Sequence, residues 1–355
     1  MFVKIARVLA VVSVSAVALT GCTPPMPPDV KAAALEQTHT CVAGSANVQA
    51  GDAMTDAMMG IQGSMQGACP TMTFTQTASG SPAALYIGAE SPAASDCKPT
   101  ITVPFALDAA VVSATLSQAA GLILSPKTIQ GIFDGSITTW NDPAITYDNG
   151  GVEVSTGAIK VFPYTDAKSL AAFGAWYQYL TGKKFKPSLI SVKSDLSVAD
   201  LGTLPEDSVA LLSYSLNSMY SVNAMVPPLP ASVLVSSKNT NGVVPDMTGI
   251  GSAGTQYTFK KSGNNISLSL DFKAKPVAPA GSTDAVDPYD AVYPVNLSIC
   301  GTDTKLQHAI GLYFTRQDSQ GQLTNYVALP ELIREESLNQ MSLGLPEPKI
   351  KAPAN

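Results

Sequence analysis

Histidine is almost missing from this sequence: His39 and His308 are the only two in 355 residues. Neither has a second metal-binding residue at useful spacing and no CxxC pair occurs, which argues against a metal site. There is no GxSxG elbow and no Walker lysine motif, and neither histidine is placed as a plausible base. Gly249-Ile250-Gly251-Ser252-Ala253-Gly254 matches GxGxxG, but it lies in a Gly/Ser-rich stretch that leads to a strand-like run. The dinucleotide fingerprint needs a strand before it and a helix after it, so this match is discarded. The expectation is a protein that is not an enzyme and carries no cofactor. Charge is thin as well, at 14% against 45% apolar residues, so the surface of a folded body must be rich in uncharged polar groups. The 21 basic and 27 acidic residues give a net charge of −6 and a pI near 4.9, a balance that disfavours nucleic acid as a partner. Long apolar runs are also lacking, because Val8–Leu19 falls short of the roughly 20 residues a membrane span needs.

That short run has a meaning of its own. Lys4 and Arg7 precede it, and it ends in Leu19-Thr20-Gly21-Cys22, which resembles the lipobox of bacterial lipoproteins. The expectation is a leader over 1–21, a lipidated Cys22 and a body held outside the cytoplasmic membrane by its lipid anchor. The alternative is an ordinary signal peptide with an accidental cysteine. Removal of the leader takes away two basic residues and no acid, leaving 19 against 27 and a net charge of −8. In an exported, oxidising setting the remaining Cys41, Cys69, Cys97 and Cys300 are expected to form two disulfides. Four cysteines allow three connectivities. The preferred one is Cys41–Cys69 with Cys97–Cys300. The first pair precedes two strands expected to be neighbours; Cys97 precedes a strand and Cys300 ends another of the same lobe.

Residues 22–40 begin "CTPPMPPD" and read as an extended Pro-rich spacer. From Cys41 short apolar strands alternate with helices. "TCVAGSA" reads as a strand ending in a small-residue turn, and "AGDAMTDAMMGIQGSM" as a helix with Met54, Ala57, Met58 and Ile61 on one core-facing side. "TMTFTQT", "ALYIGA" and "TITVPFAL" read as strands, with "ASGSPAAL" a turn entering a helix. Strand–helix–strand order implies a mostly parallel sheet. Later, "AIKVFPY" and "SVALLSYSL" read as strands around the helix "DAKSLAAFGAWYQYLTG". "YPVNLSI" is a late strand before two C-terminal helices. The domain expectation is a first lobe from 41–115 and 285–345, a second lobe over 116–220, and an irregular hairpin insertion at 221–284.

The stretch from Ser125 to Ile145, "SPKTIQGIFDGSITTWNDPAI", is the most distinctive. Ser125 suits an N-cap, Pro126 the first helical position, and Gly135 a helix stop. Ile129, Ile132 and Phe133 make an apolar stripe at helical spacing, and Trp140 precedes the turn cluster Asn141-Asp142-Pro143. Trp140 is expected to pack against its own helix.

This stretch resembles the phosphate-binding proteins of bacterial phosphate ABC importers. "GSANVQAGDAM", "TASGSPAAL", "YIGAESPA" and "VFPYTDAKSLAAF" stand, in that order, where the family has its binding loops. The resemblance implies an α/β fold of the two-lobed periplasmic-binding-protein kind (type II), with mixed sheets flanked by helices and a cleft between the lobes. It implies phosphate or a related oxyanion as ligand, ABC permease subunits as partners and a monomer. By position it implies ligand contacts from Ser45, Asn47, Ser79, Ser81, Glu90, Ser91, Thr165, Asp166, Lys168 and Ser169. Each of those serines, asparagines and aspartates is equally suited to capping a helix.

The departures fall at the charged anchor. The family motif there reads Arg-Ser-Asp, a residue, then Ser-Gly-Thr, and the matching stretch here is Tyr164-Thr165-Asp166-Ala167-Lys168-Ser169-Leu170. Tyrosine replaces the arginine, the Gly-Thr pair is absent, and Lys168 offers a point charge in place of a planar fork. In the third loop Glu90-Ser91 replaces Ser-Asp. Two readings stand: a cleft that holds an oxyanion with a changed donor set, or a binding-fold lipoprotein with lost or altered ligand binding that acts in envelope interaction or sensing.

Overall fold

The computed structural model describes residues 26–78, 80–116, 121–223, 231–232, 234–235, 242–278 and 286–348. The chain starts with α1 (Pro28–Gln37), β1 (Gly44–Ala50), a 3-10 turn (Asp52–Met54), α2 (Thr55–Ala68), β2 (Met72–Thr77), β3 (Leu85–Gly88) and the long β4 (Pro99–Thr115). Next come β5 (Ile123–Leu124), α3 (Pro126–Asp134), α4 (Pro143–Asp148), β6 (Lys160–Val161), β7 (Tyr164–Thr165), α5 (Ala167–Thr181), β8 (Ser191–Val192), α6 (Val198–Leu201), β9 (Ser208–Ser213) and α7 (Tyr214–Asn223). The remainder holds β10 (Ala231–Ser232), β11 (Leu234–Val235), α8 (Met247–Gly254), β12 (Tyr257–Ser262), β13 (Asn265–Leu270), β14 (Val292–Cys300), α9 (Lys305–Thr315), α10 (Gln317–Gln320), β15 (Val327–Ala328) and α11 (Glu331–Met341).

The sheets are mixed. In the first lobe β1 lies parallel to both β2 and β3, while β14 runs antiparallel between β3 and β4. Within the first lobe the expected parallel order holds for the N-terminal strands, and the returning β14 reverses it. β4 serves both lobes. Its N-terminal part pairs with β14, from Cys300 opposite Pro99 to Val292 opposite Ala109. Its C-terminal part, Ala110–Thr115, pairs antiparallel with β9, which lies parallel to β6.

Two apolar cores follow from this sharing. Phe105 and Ala106 of β4 pack with Met54, Met58, Ile61, Met65 and Phe314 in one, and Leu107 to Ala114 pack with Phe133, Trp140, Phe173 and Trp176 in the other. The methionine stripe of α2 is thus core, as its spacing indicates. The helix at 125–135 forms as read: Ser125 Oγ accepts from the Thr128 N–H, Pro126 opens the helix, and Gly135 closes it at φ 83°. Trp140 is fully buried, and its indole N–H donates to the Asp207 carbonyl at 3.1 Å.

Both expected disulfides are present. Cys41–Cys69 (Cα–Cα 5.3 Å) clips together the entrances to β1 and β2, and Cys97–Cys300 (4.9 Å) joins the start of β4 to the end of β14.

Several local expectations change. The segment after the Pro-rich start is not an extended spacer. Pro28–Gln37 is a helix, with Ala32, Ala34 and Leu35 buried and its side packed on α11. Its last carbonyls would lack donors, as at any helix end. Buried Arg316 supplies them, donating to the carbonyl oxygens of Leu35, Glu36 and Thr38, and Arg334 pairs with the Glu36 carboxylate. "TCVAGSA" is shifted: the strand is Gly44–Ala50. Residues 80–84 form a turn that leads directly into β3 without a helix. "SVALLSYSL" changes at Tyr214, where β9 ends and α7 begins. The glycine run at 249–254 lies within α8 itself, capped by Asp246.

Candidate functional site

Parallel strands carry their ligand loops beyond their C-terminal ends. Here those ends open into a cleft of about 480 Å³ between the lobes. The first lobe lines it with the end of β1 and the following turn (Gln49–Met54) and with the end of β3 (Tyr86–Glu90). The second lobe adds the starts of α5 (Asp166, Lys168) and α7 (Ser213, Ser215, Met219), and the turn Asp195–Val198 before α6. Asp108, at the middle of β4 where the strand passes from one core to the other, forms part of the floor with Tyr293 and Tyr326.

Three of the helix starts that face the cleft, those of α5, α7 and α6, already have carboxylate partners within the chain. Asp166 caps α5, its Oδ1 accepting from the Ser169 N–H at 2.7 Å. Asp108 does the same for α7. Its Oδ1 accepts from the Ser215 N–H at 3.1 Å and the Ala109 N–H at 2.8 Å, and its Oδ2 from the Ser215 hydroxyl at 2.6 Å. Asp200 closes a capping box with Ser197 at α6, and Asp52 stands in the turn that opens α2. A helix start attracts an anion through its free N–H groups and dipole. At α5, α7 and α6 internal aspartates take that role.

The lining is acidic. Among the described residues Asp52, Glu90, Asp108, Asp166 and Asp195 share the lining with one cation, Lys168. Asp108 is only 3% exposed, and burial pushes its carboxyl up to about 7 against the hydrogen bonds from Ser215 and Ala109. The Tyr86 hydroxyl is held above the usual phenol range by burial first and then by the negative charges of Glu90 and Asp195. Tyr293 and Tyr326 are raised by burial and then by Asp108, with Asp166 also acting on both. Lysines are not short in the chain, but Lys127, Lys183, Lys184 and Lys186 surround a separate concavity on the outside of the second lobe. Among the described residues no group of three His, Cys, Asp or Glu side chains is placed to hold a metal ion.

Of the residues placed here by resemblance, the cleft brings together Glu90, Asp166 and Lys168. Ser45 and Asn47 are exposed strand residues of β1, upstream of the turn that lines the cleft. Ser81 and Ser91 lie outside the lining, and Ser79 falls outside the described residues. Thr165 and Ser169 are fully buried, the latter with its hydroxyl 3.2 Å from the Tyr293 hydroxyl. Tyr164, in the place of the missing arginine, carries Lys193 over its ring at 5.4 Å, and Lys193 is paired to Asp200. Gln49, Asp108, Asp195 and the Ser213–Ser215 turn were not indicated by the resemblance. The signal for the first was the end of β1, and for the last a pair of serines at a strand-to-helix junction.

A high-affinity periplasmic phosphate-binding protein solved with phosphate bound superposes with a TM-score of 0.51 at 14% identity, over 82% of this chain and 92% of its own. The fold is that of the phosphate-binding proteins. Also similar are a phosphate-binding protein from Stenotrophomonas maltophilia, at 0.49 and 11% identity over 83% and 93% of the two chains, and a phosphate ABC transporter substrate-binding protein from Clostridium perfringens, at 0.48 and 13% over 81% and 100%. No family model and no curated protein matches the sequence.

Proposed function

We propose that this chain is an extracytoplasmic solute-binding lipoprotein: Cys22 carries the lipid, the cleft captures a small solute, and an ABC permease receives it. The observation that supports the reading is the cleft itself, a cavity lined from both lobes at strand ends and helix starts. Its volume lies in the range of small-molecule sites, about 300–1,000 Å³. Phosphate is bound in the solved neighbour described above, and among the described residues of this chain a phosphate dianion has Lys168 as its one cation in the lining. Charge-assisted hydrogen bonds are worth about 1.5–3 kcal/mol each. Replacing a bidentate arginine by Tyr164 therefore weakens such a site by roughly two orders of magnitude. The five carboxylates favour the second reading, in which ligand choice has been redirected.

Calorimetric titration of the purified mature chain with inorganic phosphate tests this. Weak binding that Lys168→Ala abolishes, or no heat, fits the cleft as described. Submicromolar affinity indifferent to Lys168→Ala would overturn it. Anchoring is checked separately by Cys22→Ala, which should move the protein from the membrane fraction to the soluble one; retention at the membrane would refute a lipid on Cys22.

A further inference from the structure

We propose that the outer face of the second lobe, at the concavity ringed by Lys127, Lys183, Lys184 and Lys186, docks a partner protein through an extended segment that carries both acidic and apolar side chains. The proposal does not depend on the reading of the cleft. The start of α5 lines the cleft and Tyr177, near its end, lines this concavity. The two therefore lie toward opposite ends of a helix of 15 residues, roughly 20 Å long.

The basic loop is held in place from both sides. Gly182 ends α5 in the left-handed conformation, at φ 71°, and the chain continues Lys183-Lys184-Phe185-Lys186. The Phe185 ring packs edge-on against Phe133 and Phe173, at centroid distances of 6.1 and 4.9 Å, and leans on Tyr177 at 5.4 Å. With Phe185 drawn toward the core, the three lysines around it are left exposed. The Gln130 side chain of α3 fixes the loop: its Nε2 donates to the Lys186 carbonyl at 2.9 Å, and its Oε1 accepts from the Lys186 N–H at 2.8 Å. Lys127 stands one turn before Gln130 on α3, which brings a fourth ammonium to the same rim.

Among the described residues none of these lysines forms an ion pair. The two acids of the lining are engaged locally. Asp142 accepts from the Ala144 N–H at 2.8 Å, and Asp134 from the Ser136 N–H at 2.9 Å and the Gln130 amide at 3.1 Å. The concavity, about 810 Å³, thus carries a positive surplus on a chain whose net charge is −6. Such a surplus attracts and orients an acidic partner.

Three features favour a protein segment over other anionic partners. The face is concave, whereas a bilayer of anionic lipid presents a flat surface. Half-buried Ile137 and Ala144 share the lining with the lysines, apolar surface that a chain of phosphates cannot use. Helix α4 also borders a second concavity of about 560 Å³, where Tyr147 stands 85% exposed. An exposed aromatic beside a charged rim has the composition of a protein contact.

The test is NMR titration of the mature chain carrying Cys22→Ala, so that no lipid is attached, at low ionic strength. The probes are a peptide of about 12 residues repeating Glu-Glu-Leu-Gly, inorganic polyphosphate and, by co-sedimentation, vesicles of phosphatidylglycerol. The expected result is saturable peptide-induced shifts confined to α3, α4 and residues 182–189. Affinity should fall roughly tenfold or more in Lys183→Gln/Lys184→Gln/Lys186→Gln, whose changes are on exposed side chains and leave the backbone bonds to Gln130 in place. Replacing the leucines of the peptide by glycine should weaken binding about threefold or more. Equal binding of the glycine peptide, or tighter binding of polyphosphate or vesicles that the triple variant loses, overturns the class of partner. Peptide shifts that fall elsewhere, fail to saturate or persist unchanged in the triple variant refute the docking surface. Neither outcome bears on solute binding in the cleft.

Discussion

Asp108 offers the sharpest test of the energetics, because its carboxyl is buried in the strand shared by both lobes. Burial places its titration at about 7, against about 3.9 for an aspartate in an unfolded chain. At 1.36 kcal/mol per pH unit, keeping this group ionised in the folded protein costs on the order of 4 kcal/mol. The sign follows from proton binding. Between about pH 4 and 7 the folded state holds the proton and the unfolded state has lost it, so stability falls as pH rises through that window. It is fully retained below the unfolded value and levels off above 7. Asp290, pushed up to about 6 by burial against a hydrogen bond from Gln256, adds a smaller contribution of the same sign. Asp108→Asn keeps acceptors for the Ala109 and Ser215 N–H groups and removes the charge. It should raise stability by roughly 2–4 kcal/mol at pH 8, change little at pH 4.5, and flatten most of the slope between. Equilibrium urea unfolding followed by the fluorescence of buried Trp140 and Trp176 at several pH values measures this directly. Wild-type stability that climbs steadily from pH 5 to 8, or a variant that keeps the wild-type slope, would refute the reasoning.

Three further outcomes are expected. Trp140→Phe loses the hydrogen bond to the Asp207 carbonyl and part of the indole volume, lowering stability by about 1–3 kcal/mol; ligand titrations should be unchanged, since Trp140 lies in the core and not in the cleft. Arg316→Met strips the donors from the Leu35, Glu36 and Thr38 carbonyls, so hydrogen exchange over α1 should accelerate ahead of the rest of the body; unchanged exchange there would refute the clamp. The Cys97–Cys300 bridge closes a span of 203 residues and Cys41–Cys69 one of 28. Chain entropy alone assigns them about 5 and 3.5 kcal/mol, so Cys97→Ala/Cys300→Ala should lower the melting temperature more than Cys41→Ala/Cys69→Ala, and the reverse order would contradict it.

Local chemistry was legible in the sequence wherever caps and stripes coincide. Ser125, Pro126 and Gly135 bracket α3 by backbone geometry alone, and the methionines of α2 bury because their spacing gives them one face. The disulfide pairing followed once the strands were placed. Tertiary context hid the rest. α1 carries no strong amphipathic signal, and its stability comes from Arg316 and Arg334, about 280 and 300 residues away in sequence. β4 reads as an apolar run broken by Asp108, and the sequence does not reveal that one strand spans two cores. Ser45 and Asn47 stand apart from the cleft lining because β1 extends to Ala50, which makes them strand positions. The character of the cleft depends on Glu90, Asp108, Asp166 and Asp195 converging from four separate segments, a property of the fold and not of any motif.

The clamped first helix has a consequence for how the protein patrols its surroundings. In the reading proposed above the lipid sits on Cys22, and the first described helix starts at Pro28, six residues later, not beyond residue 40. At about 3.3–3.6 Å per residue, the body can drift no more than roughly 20 Å from its point of attachment. A carrier on so short a leash does not sample the volume of the envelope. On that reading it would diffuse as a two-dimensional particle alongside the membrane, and its encounters with a permease would be set by lateral density.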